Sequence, residues 1–283
     1  MDDTKIVIIG SKGQLGTALH AKYPHARAVD ADELDITNRD AVQAFDWSEV
    51  TTILNAAAYT NVDGAETAEG RVMAWSVNAL GPRNLTELAI KQNMSLVHIS
   101  TDYVFDGTNK SHTENESFSP LSVYGQSKAA GDLSVSLAPK HYIIRTTWVI
   151  GEGKNFVRTM LDLGQKEVAP TVVADQVGRL TFTSELVRVI DHLLHTAPTY
   201  GTYNATNDGN PASWADITRC IFKLGGFSQQ VTDTTTAEYF ATKTGVAPRP
   251  LNSVMDLSKV KTTGFTPRDW QEDLKIYITK ELH

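Results

Sequence analysis

The first apolar run of the chain, Ile6-Val-Ile-Ile9 within Lys5 to Gly10, is continuous rather than alternating. Such a run predicts a parallel strand buried on both faces. Further short runs recur at Ala26 to Asp30, Thr51 to Asn55, Ser95 to Ser100 and His141 to Thr147. Between them lie segments of helical character, opening with Thr17-Ala-Leu-His20 and longest over Arg71 to Lys91. Strands alternating with helices predict right-handed crossovers and an α/β fold with a Rossmann-like, doubly wound parallel sheet. Ligands on such sheets bind beyond the carboxyl ends of the strands. Asn55, Ser100, Thr101 and Thr147 end or follow those strands, so polar side chains collect at that edge.

After Thr147 the alternation loosens. Thr181 to His195 carries Leu186, Val189, Ile190, Leu193 and Leu194 on one stripe. Ser213-Trp-Ala-Asp216 reads as a capping box opening a helix to Leu224, and Asp269 to Leu282 as a terminal helix. Glycine, proline and polar clusters between them predict loops converging on a smaller, mixed α/β substrate-binding lobe. The expected division is a dinucleotide-binding domain over 1–150, with 181–205 returning to it, and a substrate-binding lobe from 151–180 and 206–283.

Composition narrows the function. With 41% hydrophobic and 21% charged residues the chain has a globular balance. A net charge of -7 argues against a nucleic-acid or anionic-membrane surface, so neither partner is expected. No apolar run approaches the ~18 residues a membrane-spanning helix needs. The acidic amino terminus is not a secretory signal, and a cytoplasmic protein is the simplest expectation. The one cysteine, Cys220, lies among Ile217, Ile221 and Leu224 at helical spacing and reads as a small buried core residue.

The first strand runs into a glycine-spaced turn, Gly10-Ser-Lys12-Gly13-Gln14-Leu15-Gly16, followed by a helix. Glycines permit the tight turn and let backbone approach a pyrophosphate, whose charge then sits at the positive helix end. A purely structural strand-helix turn is the competing reading. Asp30, at the end of the second strand, falls where an acidic residue would meet an adenosine ribose. Asp35 either reaches the adenine edge or caps the next helix. Asp30 repels a 2′-phosphate and favours an unphosphorylated ribose, while Lys12 offers a compensating charge, so either form of a dinucleotide fits.

The chemistry centres on Tyr124-Gly-Gln-Ser-Lys128. On a helix, residues four apart share a face, so the lysine charge can ease proton movement at the phenol. A tyrosine has a pKa near ~10 and releases a proton poorly at neutral pH unaided. The pair is a candidate general acid for reducing a carbonyl or general base for oxidising an alcohol, or two solvated residues on a surface helix.

The order of Gly10/Gly13/Gly16, Asn55-Ala56-Ala57, Asn78, Thr101 and Tyr124/Lys128 resembles the extended short-chain dehydrogenase/reductase superfamily. Longer strings are most similar to its dTDP-4-dehydrorhamnose reductase family: Asn55-Ala-Ala-Ala-Tyr-Thr-Asn-Val-Asp63, Ser100-Thr-Asp-Tyr-Val-Phe-Asp-Gly107, Ser119-Pro-Leu-Ser-Val-Tyr-Gly125, Arg145-Thr-Thr-Trp148 and Asp175-Gln-Val-Gly178. The resemblance implies reduction of the C4 keto group of dTDP-4-dehydro-L-rhamnose by NADPH or NADH. It assigns Thr101, Tyr124 and Lys128 to catalysis, with Tyr124 as proton donor. Gly10, Lys12, Gly13, Gln14, Leu15, Gly16, Asp30, Asp35, Ile36, Asn55, Ala56, Ala57, Ala58, Asn78, Tyr124 and Lys128 would hold the cofactor. Thr101, Asp102, Tyr103, Tyr124, Trp148 and Arg249 would meet the dTDP-sugar. For Tyr103 and Trp148 a plain core role competes, and for Asn78 an exposed polar one.

Related dehydratases carry Thr-Asp-Glu where this chain has Thr101-Asp102-Tyr103, and a phenol is a poor base for a sugar C5 proton. Simple reduction is therefore favoured over elimination. Arg179 and Arg249 are candidates for the diphosphate, each with a solvated arginine as the alternative; Leu180 departs from the family's usual proline. Some members bind magnesium at a dimer contact through a glutamate matching Ala18, so no metal is expected here, and the chain would be a monomer or homodimer. The competing functions are reduction of another dTDP-4-keto-6-deoxysugar and a non-catalytic nucleotide-binding regulatory subunit.

Overall fold

The computed structural model describes residues 2–282. Six parallel strands form its central sheet: β1 (Ile6–Ile9), β2 (Arg27–Val29), β3 (Thr52–Asn55), β4 (Ser95–Thr101), β5 (His141–Thr146) and, much later in the chain, Gly201–Asn204. Their spatial order is Gly201–Asn204, β5, β4, β3, β1, β2. The chain leaves β1 towards β2 on one side and returns to β3 on the other, so the order reverses between β1 and β3. A crevice opens at the carboxyl ends of strands at such a switch point.

Alternate side chains of these strands face opposite layers, as the two-residue period demands. Ile6, Ile8, Leu54, Val97 and Ile144 pack with α1 (Gln14–Lys22) and with the amphipathic helix Thr183–Thr196. Val7, Ile9, Ile53, Leu96 and Ile143 pack on the other face with α2 (Arg39–Ala44), α4 (Gly81–Gln92) and α5 (Val123–Val135), chiefly through α2 and α4, while α3 (Ala68–Trp75) lies against α5. A separate core joins α6 (Phe156–Gln165), the capping-box helix Trp214–Gly225 and the terminal helix Trp270–Leu282 through Val157, Leu161, Ile217, Ile221, Leu274 and Ile278. Both capping-box bonds of Ser213 and Asp216 are present.

The long helix expected over 71–91 is interrupted. Between α3 and α4 the chain makes a π-turn over Ser76–Leu80, where the Gly81 N–H reaches back to the Ser76 carbonyl. Pro82 explains this: it has no N–H to give the Asn78 carbonyl, so the α-helical ladder cannot run through. The Asn78 carbonyl packs instead against Gly131 of α5, which has no Cβ to block it. Cys220 is half-buried at the edge of the second core rather than inside it, because its helix turns Arg219 and Lys223 outward beside it.

Candidate active site

Helix α5 brings the tyrosine and lysine into the crevice. Ser122 caps it by accepting the Gly125 N–H at 3.2 Å, and Glu66 Oε1 accepts the Val123 N–H at 2.9 Å. Gly125 lets the Tyr103 carbonyl lie against the helix where any Cβ would collide with it. Tyr124 and Lys128 share the inward face and are almost wholly buried, at 9% and 1% exposed, so they are not a solvated surface pair. The Lys128 ammonium donates to the Ile99 carbonyl at 2.6 Å.

Strand β4 supplies the third group. Thr101 donates to Asp102 Oδ1 at 3.0 Å and accepts the Tyr103 N–H at 3.2 Å, which fixes the turn beyond the strand. Tyr103 meets Tyr124 edge-on, with ring centroids 5.5 Å apart. Burial first, and then the Asp102 carboxylate, push the Tyr124 phenol well above its ordinary value, while the Thr101 hydroxyl pulls the other way. The phenol thus holds its proton, as an acid must before it donates. Burial drives Lys128 down to about 8, against the pull of the Asp132 carboxylate. Asp102 is also pushed up by burial, and its Oδ2 has no partner among the described residues.

Two adjoining cavities form the cleft. One, of about 380 Å³, is lined by Gly10, Lys12, Gly13, Asp30, Asp35, Ile36 and the turn Ala56-Ala57-Ala58. The other, of about 470 Å³, is lined by Gln14, Leu15, Thr101, Asp102, Tyr103, Tyr124, Lys128, Trp148 and Trp214; Gly13, Ala56 and Ala58 border both. Gly10 adopts φ +77°, and a Cβ there would lie 2.6 Å from the Ala57 nitrogen. That close approach joins the ends of β1 and β3 at the sheet's switch point.

Several residues expected at the ligands stand one layer behind. Asn55 is buried, accepting the Ala57 N–H at 3.2 Å and facing His98 at 3.1 Å, so it shapes the turn rather than lining either cavity. Gly16 packs against the Gly10 carbonyl. Asn78 clamps the Tyr59 backbone through bonds of 2.8 and 3.1 Å and donates to Ser127 at 3.0 Å. It is not exposed, and those bonds engage its whole amide. Asp35 makes a tight turn with Thr37, and Asn38 is what caps α2.

The arginines differ likewise from expectation. Arg249 binds both Asp63 oxygens at 2.9 Å and the Ala247 carbonyl at 2.8 Å, latching the 247–249 segment to the loop after β3. Arg179 donates to the carbonyls of Gly209 and Met255 and lines neither cavity. Trp214, read from sequence only as the start of a helix, stacks on Trp148 with centroids 3.8 Å apart. Trp148 sits at φ +47°, a conformation a non-glycine residue rarely holds without a local demand. The sole sequence signal for Trp214 was an aromatic residue directly after a helix cap.

The lining fits a dinucleotide. Gly13 caps α1 without a side-chain bond, which leaves the first helical N–H groups facing the cleft. The Asp30 carboxylate, held by the N–H groups of Lys12 at 2.9 Å and Ala31 at 2.8 Å, still offers lone pairs to a ribose. Gln14 Oε1, Ser100 Oγ and Thr147 Oγ1 are buried without hydrogen-bond partners among the described residues. The Lys12 ammonium pairs with Asp32 at 2.7 Å on the exposed rim.

Comparison with known proteins agrees with this geometry. The family model described as RmlD substrate binding domain matches residues 4–282. A dTDP-4-dehydrorhamnose reductase of Aggregatibacter actinomycetemcomitans is 40% identical, over 96% of this chain and 97% of its own. A crystal structure of the Clostridium acetobutylicum dTDP-4-dehydrorhamnose reductase superposes with a TM-score of 0.90 at 38% identity, covering 98% of this chain and 99% of that one. That of the Bacillus anthracis enzyme, in complex with NADP, gives 0.88 at 35% identity over 97% of each chain. On the strength of a match spanning both lobes, the chain belongs to the dTDP-4-dehydrorhamnose reductase family.

Proposed function

We propose that this protein is an NAD(P)H-dependent oxidoreductase that reduces the C4 keto group of dTDP-4-dehydro-L-rhamnose to give dTDP-L-rhamnose. The observation that carries the reading is the meeting of Thr101, Tyr124 and Lys128 at the floor of one buried cavity adjoining the glycine turn. When bound, the nicotinamide supplies the hydride. The chain's own groups then have separate tasks. Tyr124 gives its phenolic proton to the developing oxyanion, and Thr101 offers a hydroxyl to the same oxygen. Lys128 holds the nicotinamide ribose and restores the tyrosine's proton. Trp148 and Trp214 form an apolar wall for the deoxysugar and Tyr103 packs beside the reacting oxygen.

The first cavity takes the adenosine end, with Asp30 on the ribose and Gly13 and Gln14 at the pyrophosphate. Residues 1–150 with 181–205 act as the dinucleotide-binding domain, and 151–180 with 206–283 as the sugar lobe. The late strand Gly201–Asn204 beside β5 and the separate second core support this division, except that Met255, Leu257, Val260 and Phe265 pack in the core of the sheet and so belong with the first domain. In this reading the protein is a cytoplasmic monomer or homodimer acting on a dTDP-sugar; no helix of the described residues is long and apolar enough to cross a membrane. Incubation with the keto-sugar and each reduced cofactor tests the reading: loss of nicotinamide absorbance with product NMR matching the L-rhamno sugar is expected. No oxidation with either cofactor would sink it, and a different product stereochemistry would reassign the substrate to another dTDP-4-keto-6-deoxysugar.

A further inference from the structure

Behind Lys128 lies a wholly buried polar cluster that the proposed reduction does not use. His98 of β4, Asp132 of α5 and Arg145 of β5 are each at most 4% exposed. Their hydrogen bonds determine where the His98 proton sits. Asn55 Oδ1 accepts the Ala57 N–H at 3.2 Å, so its NH2 group is the atom facing His98 Nδ1 at 3.1 Å. An amide NH2 only donates, so Nδ1 is the acceptor and a neutral His98 carries its hydrogen on Nε2. Burial, and then the lysine's charge, hold His98 well below its ordinary pKa, in the neutral form. Its Nε2 lies 3.5 Å from Lys128 Nζ and 4.0 Å from Asp132 Oδ1. That carboxylate oxygen has no partner among the described residues, while Oδ2 accepts from Arg145 Nε at 3.0 Å.

We propose that His98 is a positioning residue for Lys128: its Nε2–H confronts an ammonium with another donor but offers a neutral amine a hydrogen bond, and so favours proton release from the lysine. The inference rests on the reading of Tyr124 and Lys128 given above. It accounts for how the lysine is poised. The groups around it pull in opposite directions: burial, first, and the His98 N–H oppose the charged form, whereas Asp132 on its own helix favours it; Arg145 from β5 is paired with Asp132, Asp102 from the turn after β4 lines the same cavity, and Tyr124, protonated, adds no charge. When the Tyr124 proton passes to the substrate oxygen, Lys128 replaces it and becomes an amine that accepts the His98 N–H. Water at the cleft then returns a proton to the lysine. Asn55 thereby acts at two removes, by fixing a tautomer.

The ¹⁵N shifts of the His98 ring in the full-length protein should show the Nε2–H tautomer, and an Nδ1–H tautomer would overturn the proposal. His98→Leu removes the donor. It should raise the proton affinity of Lys128 about tenfold, moving by about one pH unit both the NMR titration of its ε-CH2 group and the matching limb of the kcat/KM profile. A titration left in place, or moved down, also overturns it. His98→Met, closer to histidine in volume and likewise without a donor or a charge, should shift the lysine the same way if the leucine variant does not fold. A merely structural His98 would lower Tm and leave the lysine where it is. Absence of turnover in the unaltered protein would count against the reduction reading alone, because the lysine titration is read without substrate.

Discussion

The two halves of the cleft are built by different means. Around the glycine turn, the walls are backbone: Gly10, Gly13 and the Ala56-Ala57-Ala58 turn, held at the ends of neighbouring parallel strands. Around Tyr124 the walls are side chains drawn from distant places, with Trp148 stacked on Trp214 and Arg249 reaching Asp63 across 186 positions of sequence. A backbone site depends on turn geometry, and at Gly10 it leaves no room for a Cβ. A side-chain site depends on packing, and its parts can be weakened one at a time.

The largest expected effect lies in the side-chain half. Tyr124→Phe removes the proton donor and should lower kcat by about 10² to 10⁴, with cofactor affinity measured by fluorescence titration nearly unchanged. Loss of cofactor binding in this variant would show that the halves are not separable. Gly10→Ala is the converse: it places a Cβ 2.6 Å from the Ala57 nitrogen in a left-handed conformation, so cofactor binding and Tm should both fall, the strain alone being about 1–2 kcal/mol. A variant with unaltered melting and nicotinamide affinity would break the claim that backbone approach builds this half.

Trp214→Ala should raise KM for the keto-sugar about tenfold by removing one face of the stacked pair, with cofactor affinity left in place. Equal losses for both ligands would mean that the tryptophan supports the fold instead. Smallest is Arg249→Lys, where one ammonium replaces a guanidinium that binds both carboxylate oxygens and a carbonyl. A change of about threefold in KM, reduced further at high salt, is expected, since Asp63 is partly exposed and the pair is screened.

The same contrast explains what could be read from the chain alone. The buried strand, its glycine turn and Asp30 lie within the first 30 residues, and local pattern specifies them fully. Tyr124 and Lys128 were legible because a helix converts a spacing of four into one face. The Trp148–Trp214 stack and the Asp63–Arg249 latch were not, because nothing in either partner's neighbourhood points to the other. Asn55 and Asn78 were placed in the right region but one layer too near the ligand. Their polarity predicts hydrogen bonds; which groups receive them depends on tertiary packing. The π-turn was missed for a different reason. Helical periodicity averages over several turns and passes across a single proline, although Pro82 itself was in plain view.

That π-turn sets how this part of the chain can change in evolution. A π-turn holds one residue more than the α-helix would need, so α3 and α4 are joined out of phase by about 100°, the rotation of one residue. Deleting any one position within Ser76–Leu80 would shift that phase by about 100° and swing Asn78 off Tyr59, or turn the apolar stripe of α4 away from the sheet. Substitutions here are cheap to explore on the exposed side, where Leu80 already stands half in solvent. Changes of length are not. Among descendants of this gene the spacing between Tyr59 and Asn78 should therefore stay fixed while the residues between them drift.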